Sequence, residues 1–534
     1  MPSLFLFIKD IKPISLDAMS APQELTPQKD ILLGTLNSTY QHSSFGLRYL
    51  YANMQSLQNQ TQIIEWTIKE NTRNIVEQIL AYRPKIMGFS VYIWNTEEMF
   101  EVCSMLKTVA PDIIIVLGGP EISYETETQR LFQLCDYVIT GEADHSFREF
   151  CQTVLNGEKP VDKIIRSVLP DIKSVLTPYH LYTDDDIKNR VIYVEASRGC
   201  PYKCEYCLSS LDKSVRNFDT DHFLKSIDSL IERGARTFKF VDRTFNLSPT
   251  TSTAILKYFL TKIHLGLFLH FEMVPDRLPQ EIKDLIIQFP EGSLQFEVGI
   301  QTLNPTVAVN VSRKNDLVKV RDNFKFILEH TKIHTHADLI VGLPGETLES
   351  FGQGFDQLAE MGPDEIQVGI LKRLKGTPIV RHEVPFKMIY QKFAPFQIIS
   401  TSTMDYATLQ QMNRFAKFWD LYANSGEFKN LISLLRKQEG SFFWNFMGLV
   451  NFLNVKYSET HSISLMSLCE QAWNYLQQEL HLPEDAATEV IVADYCNGYK
   501  KRDLPPFLKK QNHLMKRDSN SLNSRQLKHQ TSLT

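Results

Sequence analysis

The chain has 534 residues, of which 43% are hydrophobic and 22% are charged, and its formal net charge at pH 7 is −5. This length exceeds what one hydrophobic core supports, so we expect about two to four domains. The composition excludes fibrous and disulfide-rich classes, and the slight acidity argues against a surface that coats nucleic acid. No apolar run reaches the length of a membrane span, and the N-terminus lacks signal-peptide features, so we expect a cytoplasmic protein.

The first part of the chain alternates apolar runs with amphipathic stretches. An irregular leader (1–30) is followed by predicted strands at 31–36, 61–67, 85–91, 112–119 and 136–140, with a predicted helix over 96–109. Uninterrupted apolar strands between helices indicate a parallel sheet that is covered on both faces. We therefore expect an α/β, flavodoxin-like doubly wound domain over 31–156, with ligands beyond the carboxyl ends of its strands.

A second series of strands and helices follows a predicted linker at 157–190. Its predicted strands are 191–197, 237–242, 267–273, 294–301, 336–343 and 365–371. Asp219 or Thr220 is expected to cap the first helix of this series, and Gly234 to end it. Six units are too few for an eight-stranded barrel, so we expect a partial (β/α)6 barrel over 191–400, open on one side.

The last third of the chain has a different pattern. Only helices are predicted over 401–510, where aromatic residues are frequent and strand patterns stop. From Lys500 onward the chain has nine Lys or Arg residues against two acids. We predict a disordered basic tail at 511–534, with a nucleic-acid contact as the less favoured alternative.

Three of the eight cysteines stand together in the stretch "SRGCPYKCEYC" (197–207), directly after the first strand of the second series. Cys200, Cys204 and Cys207 have a C-x3-C-x2-C spacing that suits zinc or an iron–sulfur cluster. A structural zinc ion needs a fourth ligand, and His180 and His222 are not at finger or ribbon spacing. A [4Fe–4S] cluster on three cysteines leaves one iron open to a small molecule. Clustered free thiols also indicate a reducing compartment.

This motif, with an aromatic residue before its third cysteine, resembles the radical S-adenosylmethionine (SAM) enzymes. In that family the open iron binds SAM, and electron transfer splits SAM into methionine and a 5′-deoxyadenosyl radical. The resemblance implies a [4Fe–4S] cluster and SAM as cofactors, and it gives no catalytic residue beyond them. The stretch "FVDRTFN" (240–246) departs from the family's Gly-Gly-Glu, so Arg243 is a weaker alternative to Asp242. The implied SAM-binding residues are Tyr206, Asp242, Glu272, Glu297, Gln301, Gly342 and Pro344.

Residues 31–156 resemble the cobalamin-binding domain that precedes many radical SAM methylases. The matching loops are "GFSVYIWN" (88–95), "LGGPEIS" (117–123) and "DYVITGEADHSF" (136–147). They imply cobalamin-binding roles for Ser90, Gly118, Gly119, Gly141 and Glu142. The stretch "STYQHSSFG" (38–46) lacks the aspartate of the family's D-x-H-x-x-G motif, so His42 is expected to be an ordinary loop histidine rather than a cobalt ligand. A vestigial domain without cobalamin is the alternative.

Together these resemblances imply a cobalamin-dependent radical SAM enzyme that methylates an unactivated carbon through the 5′-deoxyadenosyl radical and methylcobalamin. Cyclisation or rearrangement of the substrate would use the same cofactors and is an alternative outcome. A methylthiotransferase-like sulfur insertion is a second reading, but it needs three further N-terminal cysteines, and Cys103, Cys135 and Cys151 are dispersed. A cobalamin or redox sensor is a third reading, and the SAM-binding set argues against it.

The implied partners are a small-molecule or peptide substrate and an electron donor such as flavodoxin or ferredoxin. Neither a membrane nor a nucleic acid is expected as a partner. The helical region at 401–510 resembles an uncharacterised C-terminal domain of one cobalamin–radical SAM subfamily. We expect it to close the open side of the barrel, with Cys496 as a buried bystander.

Overall fold

The computed structural model describes residues 27–457, 463–496 and 502–508. Most of the predicted leader and all of the predicted basic tail therefore lie outside the described residues. The strands are β1 (Ile31–Asn37), β2 (Thr61–Thr67), β3 (Ile86–Ser90), β4 (Ile114–Gly118), β5 (Tyr137–Thr140), β6 (Ile164–Arg166), β7 (Ile192–Val194), β8 (Ser197–Arg198), β9 (Arg216–Asn217), β10 (Thr237–Phe240), β11 (Phe268–Met273), β12 (Leu294–Gln301), β13 (His334–Val341), β14 (Glu365–Ile370), β15 (Ile389–Tyr390) and β16 (Ile398–Ser400).

The helices alternate with these strands as far as β14 and then continue alone after β16. They are α1 (Phe45–Ala52), α2 (Thr72–Ala81), α3 (Thr96–Val109), α4 (Ser146–Leu155), α5 (Asp184–Asn189), α6 (Thr220–Glu232), α7 (Pro249–Lys262), α8 (Gln280–Ile286), α9 (Pro305–Asn310), α10 (Leu317–His330), α11 (Leu348–Met361), α12 (Tyr406–Trp419), α13 (Lys429–Lys437), α14 (Phe442–Lys456), α15 (Leu465–Gln478) and α16 (Glu484–Cys496). Among the described residues, no helix is both long and apolar enough to cross a bilayer.

The first sheet is parallel and has the strand order β2-β1-β3-β4-β5-β6. Every residue of its central strand β1 is buried. Ile31 and Leu33 pack into the core on one face, whereas Leu32 and Leu36 pack into the core on the other. The doubly wound domain is confirmed, and so are its five predicted strands. The sixth strand, β6, lies in the predicted linker and is too short at three residues to leave an apolar pattern.

The second sheet is also parallel, but its strands follow one another in chain order as β7-β10-β11-β12-β13-β14. No ladder joins the edge strands β7 and β14, so this part of the described chain forms an open array of six βα units. Leu294, Phe296 and Val298 of β12 are buried on the helix-covered face, while Glu297 and Gln301 occupy the opposite, polar face. The partial six-stranded architecture is confirmed. Asp219 caps α6 by accepting a hydrogen bond from the His222 N–H at 2.7 Å.

The helical region packs against the exposed edge of β14. The Asn424 side chain accepts a hydrogen bond from the Ile366 N–H at 3.2 Å and donates one to the Ile366 carbonyl at 3.0 Å. Asn424 thus replaces the missing neighbouring strand, because an edge strand otherwise leaves such groups unpaired. Phe355 of α11 and Trp419 of α12 meet at 4.7 Å between ring centroids in the joint core. The edge of β14 is one of the two open edges of the second sheet, and the helical region was predicted to close the open side. Cys496 is buried at the end of α16, as expected.

A buried ion network holds the first sheet against the start of the second. Arg48 of α1 lies 2.6 Å from Glu65 of β2 and 2.9 Å from Asp186 of α5. Arg190, just before β7, lies 2.8 Å from Glu65 and 2.9 Å from Asp186. All four side chains are at most 10% exposed. Removing one member would leave a buried charge unpaired, so this network fixes how the two sheets are placed relative to each other.

Candidate active site

The loop that follows β7 carries the three clustered cysteines. Cys200 and Cys204 are buried and Cys207 is half-buried. The Cys200 N–H donates to the Asp212 carbonyl at 3.0 Å, and the Cys207 N–H donates to the Cys204 carbonyl at 3.1 Å. Gly199 has a φ of +92°, and a Cβ atom there would overlap the Ser214 carbonyl. Only glycine fits this position, so the tight entry into the loop explains the glycine before Cys200.

The three cysteines line one cavity of about 140 Å³ at the carboxyl ends of the second sheet. In the described part of the chain, no group of three or more His, Cys, Asp or Glu side chains is arranged to hold a single metal ion. The thiols instead share the cavity wall with polar side chains from the ends of β11, β12 and β13. The polar lining residues outside the cysteines include Tyr206, Arg243, Glu272, Glu297, Gln301, Arg313 and Asp338.

Burial raises the pKa of two carboxyl groups in this cavity. Burial raises the pKa of Glu272, although Arg243 Nη1 lies 3.0 Å from its carboxylate. Burial and the nearby charges of Glu297 and Glu272 raise the pKa of Asp338 well above its ordinary value. The Oδ1 atom of Asp338 makes no hydrogen bond, and His336 Nε2 lies 3.5 Å from it. Asp338 thus offers the cavity a buried carboxyl oxygen that has no hydrogen-bond partner in the protein.

The pKa of Glu297 is shifted in the opposite direction to the pKa values of Glu272 and Asp338. Burial opposes its ionisation, but the hydrogen bond to His270 and the charge of Lys239 lower the pKa of Glu297 to about 2. Its carboxylate lies 2.9 Å from His270 Nε2 and 3.6 Å from Lys239 Nζ. Three carboxyl groups whose pKa values are shifted in different directions thus face the same cavity.

Arg313 brings a buried positive charge to the cysteines. Its Nη1 lies 3.4 Å from Cys204 Sγ, and its Nη2 donates to the Gly299 carbonyl. The Arg313 Nε atom and the Tyr206 hydroxyl are buried without a hydrogen-bond partner. Thiols, a buried cation and unsatisfied polar atoms around one cavity fit a metal–sulfur cluster with a charged, polar ligand such as SAM.

Four of the seven predicted SAM-binding residues line this cavity, and the other three do not. Tyr206, Glu272, Glu297 and Gln301 are in the lining, together with Arg243, the weaker alternative at its position. Asp242, Gly342 and Pro344 are not among the lining residues.

Asp242 lies outside the cavity lining and makes contacts of its own within the protein. Its carboxylate accepts hydrogen bonds from the Ala196 N–H at 3.0 Å and from Ser197 Oγ at 2.6 Å. Burial raises the pKa of Asp242 to about 7. The carboxylate is therefore used to hold the start of the cysteine loop, and Arg243 is the residue of this strand end that borders the cavity.

The loop after β13 is used for packing. A Cβ atom on Gly342 would lie 2.7 Å from the Ile398 side chain, and the Pro344 carbonyl accepts a hydrogen bond from Asn310 Nδ2 at 2.9 Å. Arg313 and Asp338 also line the cavity and were not predicted from the sequence. Asp338 could have been found, because it occupies the same face of β13 as other polar residues at two-residue spacing. Arg313 lies in a loop after α9, where periodicity gives no signal.

Glu205, between two of the cysteines, is also buried and was not predicted. Its carboxylate accepts a hydrogen bond from Ser312 Oγ at 2.6 Å, lies 2.9 Å from His382 Nε2 and pairs with Arg381. Its backbone N–H donates to the Val311 carbonyl at 3.1 Å. This one residue ties the cysteine loop to two segments far away in sequence.

A second cavity, of about 250 Å³, lies at the carboxyl ends of the first sheet. It is lined by all five predicted cobalamin-binding residues, namely Ser90, Gly118, Gly119, Gly141 and Glu142. Gly119 has a φ of +100°, and a Cβ atom there would lie 2.6 Å from the Val91 carbonyl. Most of the remaining lining is apolar, from β1, β3, β4 and α1. Glycine and apolar walls leave room for a large ligand segment to lie against the backbone, which fits the tail of a corrin.

Both cavities border the short segment Glu195–Cys200. Glu195 and Arg198 line the first-sheet cavity, whereas Cys200 lines the cysteine cavity. Arg198 lies 2.8 Å from Glu195, 2.9 Å from Asp144 and 2.9 Å from Glu142. Glu142 is therefore partly engaged by this buried arginine as well as facing the cavity.

Two expectations about single residues can be compared with the structure. His42 is not among the cavity-lining residues, and its Nδ1 lies 2.6 Å from the Tyr193 hydroxyl. It is thus placed as a loop histidine at the junction of the two sheets. Cys103 and Cys135 belong to one core of the first sheet and Cys151 to the core on the opposite face. The sheet separates them, so they do not form a second three-cysteine site.

Comparison with known families divides the chain into three parts. Residues 31–151 match the B12 binding domain, residues 194–369 match the radical SAM superfamily, and residues 385–533 match a protein family of unknown function called DUF4080. The cobalamin-dependent radical SAM methyltransferase TokK from Streptomyces tokunonensis is 24% identical over 342 residues. That match covers 57% of this chain and 49% of TokK, so the chain spans about half the length of this relative.

Two solved structures share the fold. The cobalamin-dependent SAM radical enzyme OxsB, with aqua-cobalamin and SAM bound, gives a TM-score of 0.58 at 13% identity and covers 95% of this chain and 80% of OxsB. The radical SAM methyltransferase TsrM from Kitasatospora setae gives a TM-score of 0.57 at 13% identity and covers 80% of this chain and 98% of TsrM. Along the chain, the B12 binding domain comes first, the radical SAM domain follows it, and the DUF4080 domain comes last.

Proposed function

We propose that this protein is a cobalamin-dependent radical SAM enzyme that methylates an unactivated carbon of its substrate. The observation that carries the proposal is the pair of cavities on either side of the segment Glu195–Cys200. One cavity is suited to a cluster with SAM and the other to a corrin, and their common wall brings the two close together. Proximity of reacting groups lowers the barrier of a transfer that would otherwise need a chance encounter.

In the cysteine cavity, Cys200, Cys204 and Cys207 hold a [4Fe–4S] cluster. When bound, the cluster supplies the electron that splits SAM and starts radical chemistry. The ionised Glu297 accepts hydrogen bonds from SAM hydroxyl or amino groups, and Arg313 attracts its carboxylate. The Oδ1 atom of Asp338, which has no hydrogen-bond partner in the protein, is available to SAM. Tyr206 and Gln301 complete the polar wall.

In the first-sheet cavity, Ser90 and the glycines Gly118, Gly119 and Gly141 border the corrin tail, with Glu142 at the rim. When bound, cobalamin supplies the carrier for the methyl group. Arg198 holds Glu142 and Asp144 in place beside the ligand. His42 faces Tyr193 instead, so no residue of this loop is assigned to the cobalt.

Two comparisons favour methylation. TokK and TsrM are both described as radical SAM methyltransferases. The alternative of methylthiotransferase-like sulfur insertion needs a second cluster, and the sheet separates Cys103 and Cys135 from Cys151. A vestigial first domain is disfavoured because its cavity is kept open by glycines at the positions that border it.

The substrate and partners follow from the same site. The inner face of the second sheet carries Tyr193, Lys239, His270 and His336, all only partly buried. A small molecule or a peptide with hydrogen-bonding groups suits this face better than a lipid. The proposed cluster needs an electron donor such as flavodoxin or ferredoxin, and its thiols need a reducing compartment, so the proposal includes a cytoplasmic location.

The test is anaerobic purification of the full chain, cluster reconstitution and addition of cobalamin and SAM under a chemical reductant. Methyl transfer through cobalamin predicts two SAM products, S-adenosylhomocysteine and 5′-deoxyadenosine, from protein that retains cobalamin after gel filtration. Formation of 5′-deoxyadenosine without cobalamin retention would refute the methylation mechanism and leave the radical core standing. Absence of both the cluster and SAM cleavage would refute the whole proposal.

A further inference from the structure

We propose that residues 373–382, in the loop after β14, set the spacing of the two cavities by holding one loop of each. We call these residues the bridging segment. The inference rests on the proposed function, because only an enzyme that works with two cofactors needs them at a fixed distance. None of the residues of the bridging segment, all of which the structure describes, lines either cavity. They are therefore positioning residues.

The start of the bridging segment is paired with the loop that follows β4 of the first sheet. Lys375 forms an ion pair with Glu121, and their side chains are 12% and 2% exposed. Arg373 Nη1 lies 2.9 Å from Glu125 Oε2 in the same loop. Glu121 stands two residues after Gly119, which lines the first-sheet cavity. The bridging segment thus holds the loop that forms one wall of the proposed cobalamin site.

The backbone of the bridging segment also lies directly on this loop. The Gly376 N–H donates to Glu125 Oε1 at 3.3 Å. Gly376 has a φ of +79°, and a Cβ atom there would overlap the Tyr124 ring. Only glycine fits such a close approach with a left-handed backbone. The contact is therefore a packed interface as well as a pair of ion pairs.

The end of the bridging segment is tied to the cysteine loop through Glu205. The Ile379 N–H donates to the Glu205 carbonyl at 3.0 Å, and His382 Nε2 lies 2.9 Å from Glu205 Oε2. The side chains of Glu205 and His382 are both at most 9% exposed. Glu205 stands between Cys204 and Tyr206, which line the cysteine cavity. The second contact thus holds the loop that would carry the cluster.

The length of chain between these two contacts limits their separation. Lys375 and Ile379 are four residues apart, and a fully extended chain spans at most about 14 Å over that length. The chain here is turned rather than extended, because Thr377 Oγ1 donates to the Leu374 carbonyl at 2.6 Å and a short 3-10 helix covers Pro378–His382. One short, internally hydrogen-bonded segment therefore holds a loop of each cavity.

The first sheet has another attachment at the opposite edge of the second sheet. The buried ion network around Arg48 and Arg190 joins it to the start of β7, whereas the bridging segment follows β14. These two strands are the edges of the second sheet. A single joint would let the two sheets turn about it, and joints at both edges prevent that turn. Such rigidity matters, because a misplacement of about 1 Å can cost about 100-fold in rate.

The test removes the pair between Lys375 and Glu121 and leaves the lining of both cavities unchanged. The main variant combines Lys375→Met with Glu121→Gln, so that neither charge is left buried without a partner. Glu125→Gln, at the partly exposed pair with Arg373, is a milder second variant. Lys372→Met is the control, because Lys372 is exposed and lies three residues before Lys375.

Each full-length protein is loaded with the cluster and with hydroxocobalamin. Reduction with sodium dithionite gives an unpaired electron to the cluster and to cob(II)alamin. Electron paramagnetic resonance then measures the magnetic interaction between the two spins, which falls steeply with the distance between them. Iron content, cobalamin retention, and formation of 5′-deoxyadenosine and S-adenosylhomocysteine from SAM with titanium(III) citrate are measured on the same preparations.

We expect one well-defined interaction between the spins in the wild type and in Lys372→Met. The double variant should keep its iron, its cobalamin and its formation of 5′-deoxyadenosine, but the interaction should be weaker or spread over a range of values. Its formation of S-adenosylhomocysteine, which reports loss of the methyl group from SAM, should fall roughly 10- to 100-fold. Glu125→Gln should show a smaller change in the same direction.

An unchanged interaction in the double variant, or an equal weakening in Lys372→Met, would overturn the proposal. Loss of iron or of cobalamin by the double variant would also overturn it, because the pair would then support one cavity rather than the spacing between the two. If the double variant does not fold, Glu125→Gln decides by the same criteria. A wild type that holds both cofactors without any interaction between their spins would instead refute the proposed function, which places the two cavities side by side.

Discussion

The two cavities stand at the same place on two parallel sheets, yet their walls are made differently. The first is lined largely by glycines and apolar side chains, with Glu142, Asp144, Glu195 and Arg198 at one side. The second is lined by three thiols together with charged and polar side chains. The first therefore selects a ligand by shape and close backbone approach, whereas the second selects by charge and hydrogen bonding. Either kind of cavity can form at the carboxyl ends of a parallel sheet, because the loops rather than the strands decide the chemistry of the site.

The largest effect should come from removing a thiol of the second cavity. Cys204→Ala takes away one of three ligands, and we expect the reconstituted protein to lose its cluster almost completely. Iron content and the electron paramagnetic resonance signal of the reduced protein measure this. Cys135→Ala, at a buried cysteine of the first sheet, is the matched control and should keep its iron. Full iron content in Cys204→Ala would show that the second cavity does not hold a cluster through its three thiols.

A change in charge without loss of a ligand should have the next largest effect. Arg313→Gln removes the buried guanidinium beside Cys204, and a lost hydrogen bond from a charged group costs about 1.5–3 kcal/mol, so we expect KM for SAM to rise about 10- to 100-fold. The kinetics of 5′-deoxyadenosine formation measure it. Arg321→Gln, on the exposed side of α10, serves as control. An unchanged KM in Arg313→Gln would show that this cation does not meet SAM.

The shape-based cavity can be filled without touching the cysteines. Gly118→Leu places a branched side chain at the end of β4, and overpacking of this kind costs about 1–3 kcal/mol. We expect cobalamin affinity to fall by roughly 5- to 100-fold, while cleavage of SAM with titanium citrate is kept. Spectroscopic titration with hydroxocobalamin checks the first part. If cobalamin affinity and SAM cleavage both fell in Gly118→Leu, the two cavities would not be independent of each other as described.

The smallest effect concerns the segment between the cavities. Asp242 has its pKa raised to about 7 by burial, above its ordinary value of 3.8. The folded chain therefore holds this proton more tightly than the unfolded chain, and the resulting stability is lost as the pH rises through 7. From pH 6.5 to 8 the wild type should lose roughly 1 kcal/mol that Asp242→Asn does not lose.

Urea unfolding at the two pH values measures this difference. Asp228→Asn is the matched control, because the hydrogen bonds from Lys262 and Tyr258 lower the pKa of Asp228, so that it does not titrate in this range. An identical pH dependence in the wild type and Asp242→Asn would show that Asp242 is already ionised at pH 6.5.

The amount that the sequence could predict differs between the two cavities for a physical reason. Glycines such as Gly118 and Gly119 act through the backbone, so a loop motif after a strand places them without knowledge of side-chain direction. All five residues predicted for the first cavity line it. Charged residues depend on where the side chain turns, and Asp242 turns toward Ala196 and Ser197 instead of the cavity.

The elements of the fold also differ in how well the sequence predicts them. The seven-residue strand β2 and the eight-residue strand β12 were predicted with the bounds that they have, and in β12 buried and partly buried residues alternate over most of the strand, which leaves a strong pattern. The three-residue strand β6 and the Asn424 contact with β14 were not predicted. Both depend on tertiary neighbours, and neither has a local pattern of its own.

The most direct test of the central claim is the amount of 5′-deoxyadenosine formed from SAM by the anaerobically reconstituted full chain with titanium(III) citrate. The account predicts steady formation by the wild type and none above background by Cys204→Ala. Undiminished formation by Cys204→Ala, or no formation by a wild type that carries its full complement of iron, would contradict it.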